Sequence, residues 1–156
     1  MSRAHAALAA LAETARGNSA GIHGTCVVRG ERGVLLVGRG GAGKSSLALA
    51  LIHDERRFGC LVADDRVLLQ HAHGRWIASA PDALRGRFAL RGGPIEETDF
   101  VDRAVVDLVV ALDETGPEEA LSIRSGDALA IARIDRALAT LGGLGAVGTG
   151  DTPGGP

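Results

Sequence analysis

The sequence predicts an α/β fold: a mixed twisted sheet with hairpins at one side and a helix packed on it. Residues 38–45 read GRGGAGKS, which has the GxxxxGK[ST] spacing of a phosphate-binding loop. An apolar run at 34–37, typical of a strand, leads into this loop, and a helix-like run at 46–52 follows it. A glycine-containing turn at 29–33 joins the loop strand to another apolar strand, which indicates that a β-hairpin feeds the loop.

Length and composition restrict the class of protein. The 156 residues suffice for one domain with a core. The hydrophobic fraction of 46% with only 3% aromatic residues predicts a core of Val, Leu, Ile and Ala. A net charge of −2 without a basic stripe gives no reason to expect a nucleic-acid partner. The sequence has no apolar run of membrane-spanning length and no signal-peptide layout, so we expect no membrane partner and a cytoplasmic location.

Three segments are predicted along the chain. Residues 1–19 form an N-terminal helix and linker, and the thin apolar stripe of this helix predicts weak or intermolecular docking. Residues 20–142 form the main domain, and residues 143–156, rich in Gly, Thr and Pro, form a disordered tail. Cys26 and Cys60 lie in predicted strands; a reducing compartment favours free thiols, and a disulfide is the alternative.

The remaining elements follow in order. A strand at 22–28 precedes the turn, and a helix runs from about 44 to 53. A short helix start is predicted at 81–84 and a helix at 136–141. The strands predicted beyond the loop are 60–63, 67–71, 76–79, 88–91, 105–112, 122–124 and 130–134.

The loop carries the clearest functional prediction. Its backbone N–H groups and the following helix N-terminus attract phosphate oxygens. Lys44, the sole lysine of the chain, supplies a cation, and the Ser45 hydroxyl is a Mg²⁺ ligand. The predicted nucleotide-binding residues are Gly38, Arg39, Gly40, Gly41, Ala42, Gly43, Lys44, Ser45 and Ser46. A glycine-rich turn before a core helix is the alternative. A guanine-binding Asn-Lys-x-Asp motif is absent, which disfavours a GTPase.

Candidate carboxylates follow the strand at 60–63. Phosphoryl transfer to an alcohol needs a carboxylate for Mg²⁺ and a base for the hydroxyl proton, and Asp64 and Asp65 are the candidates. An exposed Asp-Asp turn is the alternative. His23 begins the strand that pairs with the loop strand, so it either reaches these carboxylates or is an ordinary strand-end histidine. His71 and His73 alternate like a metal pair, but without a third ligand an exposed hairpin is favoured.

Together these residues resemble the catalytic domain of HPr kinase/phosphorylase, and the chain looks like the short alphaproteobacterial forms that lack the N-terminal domain. The resemblance covers about residues 22–112. It rests on the HGT sequence at 23–25, the hairpin, the loop at 38–46, LVADD at 61–65 and LRG at 90–92. It implies the hairpin-fed P-loop fold that this family shares with phosphoenolpyruvate carboxykinases. It also implies ATP- and Mg²⁺-dependent phosphorylation of a serine of the phosphocarrier HPr, with reverse phosphorolysis, and a homo-oligomer.

The resemblance also implies roles for individual residues. Asp65 would be the base toward the acceptor serine and the acid in the reverse reaction. Asp64 would orient the metal or His23, and His23 would tune the aspartate pair. Arg91 matches the arginine of the family's Glu-Ile-Arg-Gly signature and would contact the phosphate or the partner. The glutamate of that signature falls on Ala89. A catalytically weakened nucleotide-binding module that acts through a protein partner is therefore the alternative, and a small-molecule kinase is a third.

Overall fold

The computed structural model describes residues 2–15, 21–89 and 93–150, with side chains as far as residue 141. The helices of these ranges are α1 (Arg3–Thr14), α2 (Lys44–His53) and α3 (Ala130–Gly150), and Asp82–Leu84 forms a 3-10 turn. The strands are β1 (Ile22–His23), β2 (Thr25–Arg29), β3 (Arg32–Val37), β4 (Gly59–Ala63), β5 (Arg66–Ala72), β6 (Arg75–Ser79), β7 (Arg87–Ala89), β8 (Ile95–Glu97), β9 (Arg103–Leu112) and β10 (Leu121–Ile123).

The main sheet is mixed and has the strand order β1-β5-β6-β9-β3-β2-β4. The pairs β3–β9 and β9–β10 are parallel, and the other pairs of this sheet are antiparallel. Strands β7 and β8 form a separate two-stranded antiparallel sheet. The predicted mixed α/β fold is confirmed, and so is the antiparallel β2–β3 hairpin ahead of the glycine-rich loop.

Alternation along β3 divides the core between the two faces of the sheet. Leu35 and Val37 pack in one cluster with residues of α1, whereas Val34 and Leu36 pack in another with residues of α2 and α3. Successive side chains of a strand point to opposite faces, so an uninterrupted apolar run is the pattern of a strand covered on both sides. Helices on both faces therefore fix β3, and the loop that follows it, in the centre of the domain.

Helix α1 buries more of its apolar face than its thin apolar stripe predicts. Ala7 and Leu8 are 0% and 1% exposed, and both belong to the cluster that covers one face of the sheet. The Ser2 hydroxyl caps the helix by accepting a hydrogen bond from His5 N at 3.1 Å. The helix therefore packs on the sheet of its own chain, and weak docking stays a prediction.

Two predicted strands differ from the structure. The single strand expected at 22–28 is divided at Gly24, since β1 pairs with β5 whereas β2 pairs with β3 and β4. The edge strand expected at 130–134 is the start of α3. Ala130, Ile134 and Leu138 are buried at a spacing of four residues, which is the helical period. The Asp127 carboxylate accepts a hydrogen bond from Leu129 N at 2.8 Å and supports this start.

Helix α3 also continues to Gly150, where a disordered tail was predicted from residue 143. The glycine-rich segment still carries a helical pattern, because apolar residues recur every three positions at Leu138, Leu141, Leu144 and Val147. Residues 151–156 lie outside the described residues. Both cysteines are free and buried, as favoured from the sequence. In the ranges that the structure describes, no helix has the length and apolarity needed to cross a membrane.

Candidate functional site

The glycine-rich loop connects β3 to the N-terminus of α2 and is closed by its own lysine. Lys44 is 7% exposed, and its Nζ donates hydrogen bonds to the carbonyl oxygens of Gly38 and Arg39, both at 2.9 Å. Gly43 has φ +94°, a left-handed conformation that favours glycine, and a Cβ added there would lie 3.2 Å from Ser125 Oγ. The sequence therefore folds this segment into a tight turn with its N–H groups at the start of α2.

Burial and nearby carboxylates act on the lysine in opposite directions. Burial lowers the pKa of Lys44, and the charges of Asp64 and Asp65 raise it in part. The ammonium group thus lies within the electrostatic influence of both candidate carboxylates. An anion bound in the loop would give this partly desolvated cation a further partner.

Asp64 directly follows β4 and is almost fully enclosed by hydrogen-bond donors. It is 4% exposed, and its Oδ1 accepts hydrogen bonds from Thr25 Oγ1 and Ser45 Oγ, both at 2.8 Å. Its Oδ2 accepts a third hydrogen bond, from Ala89 N at 3.1 Å. A buried carboxylate is tolerated when its oxygens are satisfied in this way.

Asp65 differs from its neighbour in conformation and exposure. Its φ is +72°, in the left-handed region, where the chain turns from β4 into β5. Its side chain is 62% exposed and its Oδ1 lies 3.6 Å from Nδ1 of His23, which is 42% exposed. The sequence left open whether His23 would reach the carboxylates or be an ordinary strand-end histidine; in the structure it approaches the more exposed aspartate.

One cavity of about 640 Å³ brings these groups together. Its lining comprises His23, Thr25, Gly40, Gly41, Gly43, Lys44, Ser45, Ser46, Asp64, Asp65, Leu84, Arg87, Ala89 and Ile95. Among the described residues of this lining, Asp64 and Asp65 are the only carboxylates. The cavity is therefore lined by the loop, by the aspartate pair, and by residues of β7, β8 and the 3-10 turn.

Other predicted residues lie elsewhere or outside the described ranges. Ala42 is 7% exposed and belongs to the core cluster that includes α2 and α3. Arg91, the predicted phosphate or partner contact, lies outside the described residues. The ring centroid of His71 lies 4.8 Å from that of Trp76 and 5.5 Å from that of His5. His73 lies in the β5–β6 turn with φ +52°. The alternating histidines are thus held in separate surroundings.

The donor set beside the loop fits a magnesium ion better than a transition metal. Among the described residues no group of three or more His, Cys, Asp and Glu side chains is placed to hold a metal. The hydroxyl of Ser45 and the carboxylate of Asp64 bring two oxygens within 2.8 Å of each other. Mg²⁺ prefers oxygen ligands and is commonly held by one or two protein oxygens together with phosphates and water. Ser45 and Asp64 therefore fit the part of such a shell that a protein supplies.

Several residues of the cavity carry no clear signal in the sequence. Thr25 belongs to the short HGT sequence at 23–25, and Leu84, Arg87 and Ile95 belong to no functional motif. The strand β8 at Ile95–Glu97 was not predicted at all, because three residues after a proline carry too little periodicity. An isolated polar residue at the start of an apolar strand is the one local signal that could have marked Thr25.

The fold is that of a mixed α/β domain in which a glycine-rich loop joins the central strand β3 to the N-terminus of α2, and an aspartate pair lines the same cavity as this loop. The solved HPr(Ser) kinase/phosphatase of Coxiella burnetii has the same fold, with a TM-score of 0.61 over 76% of this chain and 93% of that one. The identity in this alignment is 24%.

Two relatives match at higher identity over shorter stretches. The HPr kinase/phosphorylase of Lactobacillus acidophilus is 43% identical over 82 residues, or 52% of this chain and 24% of that protein. That of Lactobacillus delbrueckii subsp. bulgaricus is 42% identical over 72 residues, or 46% of this chain and 22% of that protein. The matched stretch thus spans about a quarter of the length of these curated relatives.

A family model, the HPr serine kinase C-terminal domain, matches residues 14–121. The chain belongs to this family. The matched range contains the whole resemblance predicted over about residues 22–112, including the loop and the aspartate pair.

Proposed function

We propose that this chain is an ATP- and Mg²⁺-dependent kinase that phosphorylates a serine of an HPr-like phosphocarrier protein. The observation that carries the proposal is the single cavity of about 640 Å³ lined by the loop, by Asp64 and by Asp65. Membership of the HPr serine kinase family supports the choice of carrier. We include in the proposal a cytoplasmic location, a homo-oligomeric state and the reverse phosphorolysis.

Phosphate binding is assigned to the loop and its lysine. Backbone N–H groups of residues 38–46 and the N-terminus of α2 offer donors to phosphate oxygens. Lys44 exchanges its two carbonyl acceptors, Gly38 and Arg39, for the outer phosphates of the nucleotide. Ser45 and Asp64 hold Mg²⁺. The ion supplies neutralisation of charge on the transferred phosphoryl group.

Proton transfer is assigned to Asp65. Its exposed carboxylate can take the proton of the acceptor serine as the serine oxygen bonds to the γ-phosphorus and the bond to ADP breaks. In phosphorolysis the same group returns a proton to the serine oxygen. The Nδ1 atom of His23 lies 3.6 Å from Oδ1 of Asp65, and His23 orients this carboxylate. Arg91 is proposed as the contact to the acceptor phosphate or to the partner.

The decisive assay compares two aspartate variants. Asp65→Asn is expected to lower phosphorylation of an HPr carrier by about 100-fold or more, since positioned general bases contribute this much. Asp102→Asn is the matched control, because Asp102 is similarly exposed at 69% and also ion-paired, with Arg85 at 3.2 Å, but lies outside the cavity lining. Phosphoserine on the carrier is measured by mass spectrometry, and ATP binding by calorimetry.

Equal activity in Asp65→Asn and wild type would remove Asp65 from the base role. ATP binding should survive in both variants. Loss of binding together with activity would instead show that Asp65→Asn had damaged the nucleotide site, which also contradicts the assignment.

A second function has one specific observation in its favour. Ala89 faces Asp64 with its backbone N–H alone, at the position where the family signature carries a glutamate. A nucleotide-binding regulatory module with weakened phosphotransfer would have such a cavity. On this alternative, wild type binds ATP without labelling a carrier, and Ala89→Glu raises turnover. Ready labelling by wild type would exclude it.

A further inference from the structure

Thr25 carries a hydroxyl group in an otherwise apolar part of the sheet. It begins β2, is 1% exposed, and its backbone pairs with Leu36 of β3. Cys26 and Val27, which follow it, are both fully buried. Burying a hydroxyl without a hydrogen bond is costly, and a valine of nearly the same shape would avoid that cost. The hydroxyl of Thr25 therefore needs a reason beyond packing.

Among the described residues, the hydrogen-bond acceptor of that hydroxyl is the carboxylate of Asp64. Thr25 Oγ1 donates to Asp64 Oδ1 at 2.8 Å across 39 positions of sequence. The donors to Asp64 come from three elements, since Ser45 lies on α2 and Ala89 on β7. Because Oδ1 and Oδ2 have different donors, the plane of the carboxylate is fixed.

The three donors differ in how far their positions depend on bound ligands. Ser45 lies in the first turn of α2, directly after the loop, and would itself be a ligand of Mg²⁺, so its position would depend on whether metal and nucleotide are bound. Ala89 lies in the two-stranded sheet, apart from the main sheet. Thr25 alone among these donors stands on a strand that is hydrogen-bonded on both sides, by β3 and β4. It is therefore the donor whose position depends least on nucleotide, metal or acceptor.

We propose that Thr25 is a positioning residue that holds the Asp64 carboxylate in the orientation required to bind Mg²⁺ with nucleotide. This inference rests on the proposed function, because it assumes that Asp64 and Ser45 hold the metal. Without the Thr25 hydroxyl, the terminal torsion of Asp64 is broad, and Oδ1 keeps only Ser45. Residues that orient metal ligands typically change metal affinity by about 10- to 100-fold when they are replaced.

The test separates metal-dependent from metal-independent nucleotide binding. ATP is titrated by calorimetry into wild type, Thr25→Val and Thr25→Ser, each in excess Mg²⁺ and in EDTA. Thr25→Val removes only the hydroxyl, and Thr25→Ser keeps it. We expect equal affinities in EDTA, a Mg²⁺-dependent gain reduced about 10- to 100-fold in Thr25→Val, and a restored gain in Thr25→Ser.

Binding of Mn²⁺ in the presence of a non-hydrolysable ATP analogue, followed by electron paramagnetic resonance, gives an independent readout. Weaker Mn²⁺ binding in Thr25→Val supports the proposal. Thermal unfolding checks that each variant is folded. Should Thr25→Val fail to fold, Thr25→Ala removes the same hydroxyl without adding volume, and the same pattern is expected.

Three results would overturn the inference. If Thr25→Val kept the full Mg²⁺ effect, Thr25 would have no positioning role even though the proposed kinase site stood. If affinity fell equally with and without Mg²⁺, the residue would be a structural one only. If wild type itself showed no Mg²⁺ effect, both the metal assignment and this inference would be refuted.

Discussion

Replacing Arg29 by methionine is expected to lower the free energy of unfolding by about 3 kcal/mol. The Arg29 side chain is 0% exposed, and its Nε and Nη2 donate to both carboxylate oxygens of Asp135 at 3.0 and 2.8 Å. Its Nη1 donates to the carbonyl oxygens of Leu51 and Asp54, at the end of α2, at 3.1 and 3.2 Å. One side chain thus joins β2, α2 and α3.

The magnitude follows from what the variant leaves behind. Removing one partner of a buried ion pair costs about 3–5 kcal/mol because the other partner stays enclosed. Asp135 is 19% exposed, so water can reach it in part, and the lower end of this range applies. For a chain of this size, the loss corresponds to a drop in melting temperature of about 6–12 °C. Urea unfolding followed by circular dichroism measures the free energy directly.

A matched control and a pH series test the reasoning. Arg56 also bonds to Asp54, at 2.7 Å, but is 71% exposed, so Arg56→Met should change stability little.

The hydrogen bond from Arg29 holds the pKa of Asp135 below its usual value. Such a carboxyl group stabilises the fold above its unfolded pKa of about 3.9, and the contribution is lost as pH falls through the folded pKa. The difference between wild type and Arg29→Met should therefore be full at pH 7 and shrink below about pH 4. Equal losses in the two arginine variants, or a difference that does not change with pH, would refute this account.

Three further predictions concern the loop, the thiols and the first helix. Lys44→Ala should weaken ATP binding by about 10- to 100-fold in calorimetry, since hydrogen bonds from a charged donor contribute about 1.5–3 kcal/mol; unchanged binding would exclude the lysine from the phosphate site. Burial raises the pKa of Cys26 to about 12, so this thiol should resist alkylation at pH 8 in the native protein and react in denaturant; rapid native labelling would contradict its burial. Leu8→Ala should lower the free energy of unfolding by about 2–4 kcal/mol. An unchanged free energy of unfolding would mean that α1 docks weakly, as its sequence indicates.

The parts of the site that the sequence predicts are those with local causes. The loop needs glycines, a lysine and a hydroxyl within eight positions, 38–45, and the strand and helix beside it are defined by neighbouring apolar residues. The aspartate pair follows directly from a strand whose apolar run ends at Ala63. Each of these features can be recognised within about ten residues, so no tertiary contact is needed to predict it.

The remaining parts of the cavity lining have no such local cause. The short strands β7 and β8 are defined only by pairing with each other. Thr25 finds its acceptor in Asp64, 39 positions away, and Ala89 donates to the same carboxylate from 25 positions away. Similarly, Arg29 reaches Asp135 across 106 positions. Contacts of this length depend on the order of strands in the sheet, which the strand patterns alone leave open.

The turn at Asp65 explains how adjacent aspartates have different environments. Asp64 is enclosed by donors, but the left-handed φ of +72° at Asp65 redirects the chain and leaves the next carboxylate exposed beside His23. This conformation also determines which substitution tests Asp65. Left-handed backbone costs most residues roughly 1–2 kcal/mol, and Asn and Asp adopt it more readily than Ala. Asp65→Ala should therefore lose stability as well as the carboxylate, whereas Asp65→Asn should lose the carboxylate alone. If the two variants unfold at the same urea concentration, the left-handed turn is not a constraint on this residue, and either variant reports on the chemistry.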